Sequence, residues 1–117
     1  PFIQYTYARI QSILRKNTLE IKIDEDSDIT DKERALIISL LAFPKIIQEA
    51  ANSFSPALIA NYAYEIVKDF NSYYQSTPIL GADSTSIISF RVALSQQVAK
   101  VIKSSMSLLG INVPQRM

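Results

Sequence analysis

Eight apolar side chains run through the last third of the chain at helical spacing: Ile87, Phe90, Leu94, Val98, Val101, Ile102, Met106 and Leu109. Steps of three and four residues are the period of one helix face. A stripe this long needs apolar surface from other elements to cover it, so it reads as core. Asp83 or Ser84 is placed to cap its start. Its end is marked by Leu108-Leu109-Gly110, where glycine can supply a left-handed C-cap. Pro114 then prevents helix from resuming. The tail that follows carries Ile111, Val113 and Met117, too apolar to trail in water. It is expected to pack back on the domain or to help build a site.

The upstream sequence supplies covering helices. Residues 3 to about 16 place Tyr7, Ile10, Ile13 and Leu14 on one face. Residues 17–29 lose that period and read as a loop; the short alternation Glu20-Ile21-Lys22-Ile23-Asp24 would be a strand without a partner. Thr30-Asp31-Lys32-Glu33 is a capping box. A helix to about Ser53 should follow, with Leu36, Ile37, Leu40, Phe43 and Ile47 inward and a kink at Pro44. Ser55-Pro56 is a further start signal, for a helix to about Ser76. Pro78 and Gly81 punctuate the next loop. Four to five helices with short connections and an extended C-terminal tail make an all-α bundle, a single domain over residues 1–117.

The chain has 117 residues with no histidine and no cysteine. That removes His-assisted nucleophiles, Cys/His zinc sites and disulfides. No catalytic, cofactor or metal residue is therefore assigned. No apolar run approaches the ~18 residues that span a membrane, and no signal peptide is evident, so no membrane partner is expected. The chain begins at Pro1 rather than Met, which reads as part of a longer protein. Net charge is +1, but it is unevenly distributed. Glu20, Asp24, Glu25, Asp26, Asp28, Asp31 and Glu33 hold seven of the eleven acids, against Lys22 and Lys32; ten bases and four acids remain elsewhere. An acidic lobe on a basic body suits an RNA-facing domain, and equally a solvated loop with no partner.

The tail Leu108-Leu109-Gly110-Ile111-Asn112-Val113-Pro114-Gln115-Arg116-Met117 resembles the C-terminus of arginyl-tRNA synthetases, Leu-Leu-Gly-Ile-x-x-Pro-Glu-Arg-Met, with Gln115 in place of Glu. Ser89-Phe90-Arg91-Val92-Ala93-Leu94 is similar to the Ala-Arg-Leu-x-Leu stretch of their anticodon-binding domain, departing at Ser89 and Phe90. Phe70-Asn71-Ser72-Tyr73-Tyr74 with Pro78-Ile79-Leu80, and Gln4-Tyr5-Thr6-Tyr7-Ala8-Arg9-Ile10, resemble two further segments of the family. The resemblance covers the whole chain. It implies a helical anticodon-binding domain, a C-terminal fragment of a longer cytoplasmic synthetase, inactive alone. Its partners would be an arginine tRNA, not DNA, and the catalytic body of the same chain. ATP, Mg²⁺ and L-arginine would belong to that body. The class I signature loop is absent: Lys103-Ser104-Ser105-Met106-Ser107 shares letters with it but sits in the helical stripe, with Met106 inward. A helical protein-interaction module and the anticodon domain of another class I synthetase are the alternatives.

Every arginine codon has G in the middle, so every arginine tRNA has C at the middle anticodon position. A cytosine pocket needs a fixed donor such as arginine, a carbonyl or carboxylate acceptor and an aromatic wall. Tyr5 and Arg9, four apart, share a helix face. By resemblance Tyr5, Arg9, Tyr74 and the terminal Arg116-Met117 belong to the anticodon surface, and Phe2 falls where the family has a stacking aromatic. Tyr5 or Phe2 would stack, Tyr74 would form the wall, Arg9 would donate to base or phosphate, and Met117 would accept through its backbone or carboxylate. From the residues alone, the better readings are Tyr5 and Tyr74 as core aromatics whose hydroxyls reach the surface and Arg9 as a surface or ion-pair residue, with Met117 open to being a frayed end; the resemblance reverses the first. Arg91 is expected to pair with Asp69 or Glu65 and hold helices together. Arg15, Lys16, Lys100 and Lys103 are candidate phosphate contacts or ordinary solvated faces. Asn71 and Tyr73 have no assigned role.

Overall fold

The computed structural model describes residues 2–23 and 28–117; Asp24, Glu25 and Asp26 of the acidic window lie outside them. Five α-helices follow one another: α1 (Phe2–Lys16), α2 (Asp31–Leu41), α3 (Phe43–Asn52), α4 (Pro56–Ser76) and α5 (Thr85–Leu108). The described residues contain no strand, and residues 17–23 are irregular. The Ser89 hydroxyl ties that segment to α5 by donating to the Glu20 carbonyl at 3.0 Å.

Two of the three start signals cap as their chemistry dictates. Thr30 and Glu33 form the full capping box. Ser84, not Asp83, caps α5 by accepting from the Ile87 amide. Ser55 precedes Pro56 but its side chain makes no capping bond. At the far end of α5, Gly110 adopts φ 76°. The Gly110 amide donates to Ser107 O at 3.0 Å and the Ile111 amide to Met106 O at 2.8 Å. This pair of bonds is the Schellman ending, which satisfies carbonyls a helix terminus would leave orphaned.

Pro44 does more than kink the second predicted helix. It cannot donate to the Leu40 carbonyl, and its ring crowds that carbonyl. The helix divides at Ala42, and Pro44 lies in the first turn of α3. Of the five inward positions expected here only Leu36 is fully buried; Ile37, Leu40, Phe43 and Ile47 are half-buried. Counted across the break, an 18-residue stretch within residues 31–52 reaches a mean hydropathy of 1.3, enough in length and composition for a membrane span. This segment departs from the expectation that no apolar run approaches a span. As folded it is two helices of 11 and 10 residues, each well short of the ~20 a span requires. Phe43 stacks on Tyr62 of α4, centroids 5.4 Å apart, and the Tyr62 hydroxyl donates to Ser39 O at 2.6 Å. The break is thereby pinned to α4. Burial pushes the Tyr62 pKa up to about 12.

The core runs between α1, α4 and α5. It gathers Tyr7, Ile10 and Ile13 with Ile66, Val67, Phe70 and Tyr73, and with Val92, Val98, Ile102 and Met106. Met106 is buried, so the Lys103–Ser107 segment is helix interior. Ile87, at the start of the predicted stripe, is exposed.

One buried polar cluster joins three helices. Glu33, 1% exposed, accepts from the Thr30 amide at 2.9 Å, the Tyr73 hydroxyl at 2.6 Å and Arg91 Nε at 3.0 Å. Arg91 also donates to Pro78 O at 2.7 Å. Arg91 does hold helices together, as expected, but its partner is Glu33 rather than Asp69 or Glu65. Tyr73 belongs to this cluster, not to a surface site. Burial pushes the Glu33 carboxyl up, but the bonds from Tyr73, the Thr30 amide and Arg91 outweigh it and hold its pKa below the ordinary value. The Tyr73 pKa is raised, first by burial and then by its bond to Glu33.

Candidate nucleic-acid interface

Arg9 stands on the outward side of α1 where that helix meets α4. Its guanidinium carbon lies 4.8 Å from the centroid of the Tyr74 ring. Its Nη1 donates to Asn71 Oδ1 at 2.6 Å. Asn71 and Tyr74 are three apart on α4 and so present one face. Tyr74 in turn stacks on Phe70, centroids 6.3 Å apart, and Phe70 is fully buried. The column Phe70–Tyr74–Arg9 therefore carries rigidity from the core to the surface. A cation over an aromatic face contributes about 0.5–1 kcal/mol when exposed and more when desolvated.

Two concavities flank this column. One, of about 590 Å³, is lined by Tyr5, Ala8, Arg9, Ser12, Arg15, Arg116 and Met117. The other, of about 620 Å³, is lined by Arg9, Ser12, Ile13, Lys16, Tyr74, Gln75, Thr77, Pro78, Ile79 and Leu80. Arg9 and Ser12 are common to both, so the two form one groove divided by the Arg9 side chain. Neither lining contains a carboxylate side chain, while Arg9, Arg15, Lys16 and Arg116 supply positive charge. Tyr5 is 57% exposed.

The tail completes the groove. Val113 packs on the core, and Arg15 Nη1 donates to Gln115 O at 3.2 Å. These two contacts carry Arg116 and Met117 to the side of α1 that bears Tyr5 and Arg9. Of the tail's three apolar side chains Val113 alone packs back; Ile111 and Met117 stay exposed, against the expectation that the tail is too apolar to face water.

Five of the six sequence-derived residues, Tyr5, Arg9, Tyr74, Arg116 and Met117, line the groove. Phe2 does not. It lies in the first turn of α1 with its ring tilted on Tyr64, centroids 5.8 Å apart. Of the four candidate phosphate contacts, Arg15 and Lys16 line the groove; Lys100 and Lys103 lie exposed on α5 outside its lining. Sequence reasoning left out Ser12, Gln75 and Thr77. Ser12 was legible as the next position on the Tyr5–Arg9 face. Asn71 carried no signal, because its partners are 62 and 65 positions away. Among the described residues no group of acidic side chains could hold a metal ion.

The chain matches the family described as DALR anticodon binding domain over residues 3–117. It is 52% identical over 117 residues to an arginine–tRNA ligase of Flavobacterium psychrophilum, covering 100% of this chain and 20% of that protein. It is 43% identical over 122 residues to the arginine–tRNA ligase of Bacteroides thetaiotaomicron, again 20% of that protein. Among solved structures it superposes on the arginyl-tRNA synthetase of Thermus thermophilus with a TM-score of 0.91, at 34% identity over 100% of this chain and 21% of that one. The chain therefore spans about a fifth of the length of these relatives.

Proposed function

The chain belongs to the DALR anticodon-binding domain family, and from that premise we propose that its groove reads the middle-position cytosine of arginine tRNA anticodons. In this reading it is the tRNA-recognition part of an arginine–tRNA ligase. ATP, Mg²⁺ and L-arginine are handled by the remaining catalytic body of the same enzyme, its second partner.

Cytosine offers an N4 amino donor and acceptors at N3 and O2. Arg9 has five N–H donors, one of which is engaged by Asn71; the others serve N3, O2 or a neighbouring phosphate. The Met117 backbone accepts from N4. Tyr5 supplies the stacking face and Tyr74 the wall. Arg15, Lys16 and Arg116 meet phosphates, which favour RNA without reading it. The observation that carries this reading is the convergence of Tyr5, Arg9 and Met117 on one concavity whose lining has no acidic side chain.

The test is a titration with the anticodon stem-loop of an arginine tRNA and a variant whose middle C is U, at low and physiological salt. The C form should bind tighter by about 1–3 kcal/mol, the scale of one well-made base contact, and Arg9→Ala should abolish the difference. Equal binding of both forms, fading together with salt as phosphate contacts do, would refute the pocket.

A further inference from the structure

We propose that Asn71 is a positioning residue for base recognition: it fixes the plane of the Arg9 guanidinium through a one-way chain of hydrogen bonds between α1 and α4. The inference rests on the reading above, in which Arg9 contacts the base.

Asn71 is 9% exposed and cannot itself reach a ligand in the groove it borders; neither concavity counts it in its lining. Its amide orientation is nonetheless determined. Nδ2 donates to Thr6 Oγ1 at 2.7 Å and to the Val67 carbonyl at 3.0 Å. The Val67 oxygen is acceptor-only, so the NH₂ must face it. Thr6 Oγ1 donates its own proton to Phe2 O at 3.0 Å and is left as an acceptor towards Asn71. Both amide protons are thereby engaged, and Oδ1 must face Arg9. Reversing the amide would set two oxygens against each other at Val67 and an NH₂ against a guanidinium.

Arg9 is held by two different constraints. The Tyr74 ring supports the face of the guanidinium but permits rotation within its plane and sliding over the ring. The bond to Asn71 Oδ1 removes that freedom at one nitrogen. Arginine side chains lose about 2 kcal/mol of rotamer freedom when fixed. A donor already fixed before the ligand arrives leaves less of that cost to the binding step. The remaining N–H groups then stand in a set direction towards the groove. A base edge requires this and a phosphate does not, so Asn71 should govern discrimination and leave charge-driven binding untouched.

The experiment is a double-mutant cycle in the 117-residue chain. Wild type, Asn71→Ala, Arg9→Ala and the double variant are titrated with the C and U stem-loops. Folding of each is followed by circular dichroism. Asn71→Ala should lose roughly tenfold of the preference for C, the scale of one hydrogen bond to a charged group, with binding of the U form unchanged. In the Arg9→Ala background the same substitution should have no effect on RNA binding. Thr6→Val, which leaves Asn71 in place but removes its acceptor, should give an intermediate loss and covers the case in which Asn71→Ala fails to fold. An effect of Asn71→Ala that persists without Arg9 would overturn the proposal, as would full discrimination in folded Asn71→Ala and Thr6→Val. If wild type itself binds C and U equally, the groove reading falls, and this inference falls with it.

Discussion

Replacing Glu33 by alanine is expected to destabilise the protein by about 3–4 kcal/mol, and the figure follows from what is left behind. The carboxylate is 1% exposed and accepts from Thr30, Tyr73 and Arg91. Without it the buried Tyr73 hydroxyl has no acceptor. Arg91, whose side chain is 14% exposed, keeps only Pro78 O. Breaking one side of a buried ion pair costs about 3–5 kcal/mol. Half of a capping box adds about 0.5–1 kcal/mol. The remaining Arg91 bond and its partial exposure set the total at the lower end of that range. For a chain of this length about 1 kcal/mol corresponds to roughly 4 °C in Tm, so thermal melts should fall by about 12–16 °C. Urea titrations should show a lower midpoint at unchanged m-value. Glu33→Ala/Arg91→Met removes both charges and should recover much of the loss. The pH dependence has a definite sign. The folded pKa of Glu33 is lowered from its ordinary 4.5, so its contribution is complete above that value and is lost as pH falls through the folded one. The gap between wild type and Glu33→Ala should therefore narrow in acid. A loss under 1 kcal/mol at pH 7, strict additivity in the double variant, or a gap that widens in acid would each refute the account.

Three smaller changes follow from local geometry. Phe54 closes α3 with φ 52° and its ring 93% exposed; Phe54→Gly should raise stability by about 0.5–1 kcal/mol in urea titrations, since glycine takes this conformation without the side-chain clash. Gly110→Ala meets open space but sits at φ +76°. It should cost about 1 kcal/mol and also weaken stem-loop binding by displacing Arg116 and Met117. The Ser105 hydroxyl is buried and finds no hydrogen-bond partner among the described residues, so Ser105→Ala should be neutral or stabilising by about 1 kcal/mol in thermal melts; a clear destabilisation would refute this.

The start and stop signals were legible in the sequence because each is a contract among residues three or four apart. Thr30 with Glu33, Ser84 with the Ile87 amide, and Gly110 after the α5 stripe need nothing from the rest of the chain, and all three form. Tyr5 and Arg9 shared a face for the same reason. Pro44 was read correctly as an obstacle, but whether a proline bends or divides a helix depends on what covers the flanking turns. Here Tyr62 engages both Ser39 and Phe43 from α4.

The sequence by itself determined an all-helical chain, its element boundaries to within a few residues except the division of α2 from α3 at Ala42, and a tail that packs back, which it does through Val113. Only the tertiary structure decided which charges are internal and which face the groove. Nothing near Arg91 in sequence designates Glu33, 58 positions away, and nothing near Arg9 designates Asn71 or Tyr74. The physical reason is range. Hydrogen-bonded turns and helix periodicity act over three or four residues. The pairing of a buried charge is fixed by whichever donors and acceptors the packed core delivers to the same dry volume, and that is a property of how α1, α2, α4 and α5 meet.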